Sequence, residues 1–228
     1  MFFFDPTFIL LIPALILALY AQSKVKGTFN KYSKVKSLRG HTGAEVARSI
    51  MDTRGLGDVA VERVKGRLSD HYDPRKKVLR LSESVHDSES VAALGVAAHE
   101  AGHALQHADA YGPLILRSSL VPVVGFGSNL ALPMFLIGFI FATNLGWLMD
   151  LGIIFFAGAV AFSLITLPVE FNASSRALVI LKEGGYLTEQ EVPHARAVLN
   201  AAAWTYVAAA TMAISQLVRL LILRGVRN

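Results

Sequence analysis

The chain has 228 residues, 53% of them apolar, no cysteine and a formal net charge of +5. A mean hydropathy of +0.46 excludes an ordinary soluble domain and makes membrane insertion the first expectation; the missing cysteine excludes disulfides and thiolate ligands, so any metal must be held by histidine and carboxylate. Sixteen of the 22 Lys and Arg fall between residues 23 and 120, and without aromatic-basic interleaving or a nucleic-acid module this clustering reads as topology and lipid contact, with no nucleic-acid partner.

Residues 2–22 are apolar and uncharged after Asp5 and Pro6, with the positive residues following the run instead of preceding it. That order is wrong for a cleaved signal peptide and predicts a retained N-terminal membrane anchor over residues 1–22. Lys24, Lys26, Lys31, Lys34, Lys36 and Arg39 follow in close succession. They predict a juxtamembrane segment held to acidic head groups on the cytoplasmic side. Thr42 and Glu45 have capping-box spacing ahead of Val46, Ile50 and Met51, which predicts a helix ending near Gly55. Alternation over residues 59–66 and again over 76–82 predicts two strands, with SDHYDPR between them as a turn. The second, VLRLS, is the expected edge that would receive an extended substrate as an added strand. His71 and Tyr72 sit in the turn.

The run from Ser90 to Asp109 predicts a helix, with cap signals at Asp87, Ser88 and Ser90. It carries HEAGH at residues 99–103. A helix turns about 100° per residue, so His99 and His103 share one face about a turn apart, where two imidazoles can bind one ion. Glu100 adjoins the first of them and can turn toward a water on that ion, whose pKa zinc lowers to about 7, so that the carboxylate can take its proton. Ala97, Ala98, Ala101, Gly102 and Ala104 let another backbone come close, and two poor helix formers, Gly95 and Gly102, require a packing or site reason.

Apolar stretches near residues 121–142 and 151–168, separated by Thr143, Asn144 and Asp150, predict a transmembrane hairpin. Its loop has no Lys or Arg, which places it opposite the basic domain. Pro168 suits a helix start and Gly184-Gly185 a helix stop, with Glu170 in the first turn. Residues 197–218 form a last apolar helix, yet crossing would leave Arg219, Arg224 and Arg227 outside, and the pattern does not choose between a full crossing and a re-entrant or interfacial course. Ala208, Ala209, Ala210 and Ala213 in it suit close helix packing, within one bundle or in a homo-oligomer.

Two histidines need a further ligand. His107 is on the same helical face, but three histidines along a straight helix cover about 12 Å and cannot all converge on one ion. Glu170 is the better candidate, since an ionisable group beside a membrane span is a functional hypothesis by default. Topology agrees: the hairpin between His103 and Glu170 returns the chain to the side it left.

HEAGHALQH at 99–107, EFNASSRA at 170–177, HYDPRKKVLRLS at 71–82 and KVKGTFNKYSKVKS at 24–37 together resemble the YugP-type membrane zinc peptidases, a bacterial family more distantly similar to HtpX and the CAAX prenyl proteases. The resemblance covers almost the whole chain. It implies an α-helical integral membrane protein with a small β-sheet, in which a zincin-like (gluzincin) core is fused to about four transmembrane helices. It also implies Zn2+ held by His99, His103 and Glu170, with Glu100 as general base. Where the wider group often has an Asp four residues after the ligand Glu, this chain has Ser174, which brings a hydroxyl but no charge. Arg176 could stabilise an oxyanion or pair with a carboxylate. Ser174, Arg176, His71 and His107 are thus the candidates for ligand support or oxyanion binding.

The expected organisation is an anchor at 1–22, a zincin-like domain at 23–120, the hairpin at 121–168, a third-ligand helix and loop at 169–200 and a C-terminal helix with basic tail at 201–228. The expected function is hydrolysis of peptide bonds in membrane or membrane-proximal proteins, by a multi-pass protein of the bacterial inner membrane with its catalytic domain in the cytoplasm. The alternative is a membrane scaffold or adaptor for a partner complex, with a structural or degenerate zinc site. Structural sites usually close all four positions with protein ligands, and only three good candidates are present.

Overall fold

A computed structural model describes residues 6–226; the start of the expected anchor through Asp5, and Arg227 in the basic tail, lie outside the described residues. The elements in chain order are a 3-10 turn at Pro6–Leu11, α1 (Ile12–Tyr32), α2 (Gly43–Thr53), β1 (Ala60–Val64), β2 (His71–Asp73), β3 (Val78–Ser82), α3 (Glu83–His86), α4 (Val91–Ala108), α5 (Gly112–Ile140), α6 (Ala142–Leu145), α7 (Trp147–Glu183) and α8 (Val192–Val226). The chain divides into two units. A mixed unit takes Ser23–Leu114 and Val169–Trp204, and an apolar unit takes the chain up to Gln22, Ile115–Pro168 and the chain from Thr205 on.

In the mixed unit α2 begins as its sequence dictates. Thr42 Oγ1 accepts from the Glu45 amide at 3.2 Å while Glu45 Oε2 accepts from the Thr42 amide at 2.8 Å, closing both arms of the capping box. The helix buries Val46, Ala47, Ile50 and Met51, and the chain turns out of it at Gly55, whose φ of +73° suits a residue without Cβ. Ser90 caps α4, its Oγ accepting from the Ala93 amide at 3.2 Å. The core around α4 is completed by Leu79, Leu81, Val85, Leu94, Leu181 and Leu199.

The sheet corrects the expected turn and the expected edge. Its order is β1-β3-β2. β3 pairs parallel with β1, Ala60 opposite Val78 through Val64 opposite Ser82, and antiparallel with β2, His71 opposite Arg80 and Asp73 opposite Val78. VLRLS is therefore the central strand, with both sides occupied and no open edge to offer. Only the later part of SDHYDPR and its flank turns: Asp73 Oδ1 accepts from the amides of Arg75 and Lys76, and His71–Asp73 is already strand. Asp70 pins this hairpin, accepting from the Ser82 amide at 2.7 Å and the Ser82 hydroxyl at 3.1 Å.

In the apolar unit, close approach is obtained with glycine. A Cβ on Gly152 would lie 2.6 Å from the Ala131 carbonyl, and one on Gly138 would lie 2.6 Å from the Met149 amide, so α5 and α7 touch backbone to backbone. Asp150 takes two bonds from Arg224, at 2.7 and 3.1 Å. The Arg219 guanidinium lies 3.8 Å from the centre of the Phe8 ring. Of the small residues in α8, Ala208 and Ala210 are buried within the chain and Ala209 is exposed.

Among the described residues four helices are long and apolar enough to cross a membrane: Pro6–Tyr32, Gly112–Ile140, Trp147–Glu183 and Val192–Val226. Pro168 does not start a helix, because α7 runs through it; a proline inside a membrane helix is tolerated where neighbours can re-satisfy the freed carbonyl. At 1.5 Å per residue the 37 residues of α7 span about 55 Å, well beyond the roughly 30 Å of a bilayer core. One continuous helix thus carries both the apolar run ending at Leu167 and, three residues on, Glu170.

Candidate metal centre

α4 and α7 supply the site. They can approach because Gly102 has no side chain: a Cβ there would lie 2.7 Å from the Ala173 carbonyl. Gly95, by contrast, would place its Cβ 3.5 Å from Ala195, an ordinary contact. The close crossing at Gly102 puts His99 and His103 of α4 against Glu170 of α7. Glu170 Oε2 lies 3.3 Å from His99 Nε2 and 3.5 Å from His103 Nε2. The two rings meet edge to face, their centres 4.7 Å apart.

Among the described residues these three form the one group of His and carboxylate donors close enough to share a metal ion, with all ligand atoms within 4.8 Å of one another. Tetrahedral ligands at about 2.0–2.1 Å from zinc stand roughly 3.3–3.4 Å from each other, and both carboxylate–imidazole separations match that. The donor set, two imidazole nitrogens and one carboxylate oxygen, is one that zinc accepts. Both imidazole side chains are 13% exposed, and the Glu170 side chain 4%.

The other ring nitrogens are held from behind. Ser174 Oγ lies 3.1 Å from His99 Nδ1, so the hydroxyl at the position where an Asp was looked for does reach the first histidine. Gln106 Oε1 lies 3.0 Å from His103 Nδ1. Burial is the largest influence on His103 and pulls its pKa down, yet the bond to Glu170 and the charges of Glu100 and Glu170 outweigh it and hold the imidazole above its usual value. Glu100, on α4 beside His99, is 9% exposed and close enough for His103 to feel its charge.

The remaining candidates separate. Arg176 binds Asp109, its Nε donates to Asn172 Oδ1 at 2.9 Å, and it stands over the Tyr111 ring. His107 bonds through Nδ1 to the Tyr72 hydroxyl at 3.0 Å, joining β2 to the last turn of α4. His71 faces the Ser69 carbonyl and Arg80 and is not part of the donor group. Gln106 is the residue that pattern reading passed over. It lies inside the quoted motif but gives no signal, because amides are ordinary on helix surfaces and its partners are 63 and 66 residues away.

An apolar helical frame with a helix-borne His-His-Glu donor group defines the class: an integral membrane protein built like a zinc peptidase. Comparison with known proteins agrees. Over residues 7–225 the chain matches the family described as "Putative neutral zinc metallopeptidase", and it belongs to that family. It is 52% identical over 210 residues to "Putative membrane protease YugP" of Bacillus subtilis (strain 168), covering 92% of each chain. No solved structure matches it.

Proposed function

We propose that the protein is a gluzincin-type zinc endopeptidase of the bacterial inner membrane, its catalytic domain cytoplasmic, cutting membrane or membrane-proximal proteins. The observation that carries this reading is the Glu170 carboxylate at 3.3 and 3.5 Å from two imidazole nitrogens one helical turn apart. His99, His103 and Glu170 would hold the ion. When bound, zinc would polarise the scissile carbonyl and make water acidic enough to give up a proton near neutral pH.

The chain's own residues do the rest. Glu100 takes a proton from the attacking water as the oxygen bonds to the carbonyl carbon. It returns that proton to the nitrogen as the C–N bond breaks, so the products are a carboxylic acid and an amine. Ser174 orients His99. An extended substrate needs an open strand edge, and the one nearest α4 is β2, whose outer side carries no strand among the described residues and whose Tyr72 is already bonded to His107. Because Glu170 follows the end of an apolar run by three residues on one helix, peptide segments near the membrane surface are the favoured substrates. The basic residues of 23–39 support the cytoplasmic side.

The test is zinc content and cleavage of casein and of membrane proteins by purified wild type and Glu100→Gln in detergent. Equal zinc with cleavage only by wild type supports the peptidase and the base. Zinc in both with cleavage by neither favours the scaffold reading.

A further inference from the structure

Gln106 is fully buried on α4, and a buried amide must find partners for an oxygen and two N–H groups. We propose that Gln106 is the positioning residue for His103: locked in one orientation by Val169, Asn172 and Arg176, it takes the Nδ1 hydrogen of the imidazole and so leaves Nε2, on the Glu170 side, as the nitrogen for the ion. The proposal rests on the metal-site reading given above.

The argument starts at Arg176, whose guanidinium can only donate. Its Nε lies 2.9 Å from Asn172 Oδ1, so the Asn172 amide must present its oxygen there. The same oxygen lies 2.9 Å from the Gln106 amide, and the Val169 carbonyl, which can only accept, lies 2.8 Å from it. Facing two acceptors, that end of Gln106 has to be its NH2 group, and both hydrogens are used. Oε1 is left pointing at His103 Nδ1 at 3.0 Å. A carbonyl oxygen only accepts, so Nδ1 carries the hydrogen. With Nδ1 committed to Gln106, the nitrogen left to hold the ion is Nε2, on the side where Glu170 Oε2 stands 3.5 Å away. Asp109, the residue closing α4, holds Arg176 in turn. An arginine that cannot lose its protons thereby sets the tautomer of a histidine it never touches.

The first histidine is built differently. Ser174 offers His99 a hydroxyl, which can donate or accept, so it orients the ring without choosing the tautomer. Of the two imidazoles, His103 is the one whose form the chain dictates.

The experiment has two arms. In metal-free protein labelled with 15N-histidine, at about pH 9, above the ordinary imidazole range, the His103 signal, assigned by its loss in His103→Ala, should show the proton on Nδ1. In the second arm zinc affinity is measured by chelator competition for wild type, Gln106→Met, Asn172→Leu, Asn172→Asp and His103→Ala, with folding followed by circular dichroism. Gln106→Met and Asn172→Leu should each lose about 10- to 100-fold, while Asn172→Asp, which keeps the accepting oxygen, should stay within about threefold of wild type. An Nδ1 without its proton in wild type overturns the proposal. So does wild-type zinc affinity in folded Gln106→Met and Asn172→Leu when His103→Ala loses zinc. If His103→Ala itself binds zinc like wild type, the metal-site reading falls first. Should Gln106→Met not fold, the contrast between the two Asn172 variants decides alone.

Discussion

The mixed unit and the apolar unit use the same residue types with opposite sidedness. In the mixed unit Ile50, Met51, Leu79, Leu81 and Leu94 are fully buried, and of its described charged residues just Glu100, Glu170 and Glu191 are buried with them. In the apolar unit Val123 and Phe126 are each 69% exposed and Ile154 63%, while among the described residues the buried cluster is small, Phe135, Met149 and Leu220. In water such a surface would mark a binding patch; in lipid it faces its solvent, and cohesion comes instead from glycine-mediated backbone contacts and paired charges such as Asp150 and Arg224. What a side chain contributes therefore depends on which unit holds it, and matched substitutions across the two units expose the difference.

Two carboxylates make the widest contrast. Glu170→Gln should bring zinc from about one ion per chain to near none and abolish cleavage, because a neutral amide is a poor replacement for a charged ligand. Asp150→Asn should keep its zinc and weaken only the packing around Arg224, seen as a lower melting temperature in detergent. Full zinc in Glu170→Gln, measured by atomic absorption, would break the assignment.

Two large apolar residues come next. Leu94→Ala opens a cavity in a water-bounded core and should cost about 2–5 kcal/mol, whereas Phe126→Ala removes a lipid-facing ring and should leave stability nearly unchanged. Denaturation of both variants in one detergent checks this, and equal losses would mean that the apolar unit is not lipid-facing. Two glycines on one helix give a finer comparison. Gly102→Ala drives a methyl group into the Ala173 backbone and should push α4 off α7, cutting zinc affinity. Gly95→Ala meets only ordinary contacts and should gain up to about 1 kcal/mol from helix propensity. Tight zinc binding by Gly102→Ala would contradict the close crossing.

Most of what sequence could convey was local, Glu170 being the exception, reached through the hairpin that brings the chain back to the side of His103. His99 and His103, the Thr42–Glu45 box and the four apolar runs each sit within a few residues of their partners, and helical periodicity suffices to read them. β2 did not announce itself, since three residues beside an Asp-Pro turn have turn composition and become strand only because β3 lies alongside. Pro168 was misleading for a related reason: its usual meaning holds in water, where neighbouring helices do not compensate a broken backbone bond. Gln106 was invisible because its meaning depends on Val169 and Asn172, on another helix.

The smallest effect concerns the mixed unit in acid. Glu191 is 6% exposed and ties two loops together: Oε1 accepts from the Leu38 amide, and Oε2 from the amide and hydroxyl of Thr188, each at 2.8 Å. Burial is the largest influence and by itself raises its pKa, but these donors and the nearby His194 outweigh it, and the carboxyl sits below its ordinary 4.5. A carboxyl whose pKa is lower folded than unfolded adds stability that is complete above about pH 4.5 and is lost as pH falls through the folded value. Wild type should therefore lose melting temperature on going from about pH 5 to pH 3, and Glu191→Gln, already lower by a few degrees at neutral pH, should lose less over the same interval. Parallel curves would show that the Leu38–Thr188 tie carries none of the acid sensitivity. A smaller slope in the variant would place part of it in the two loops that Glu191 joins.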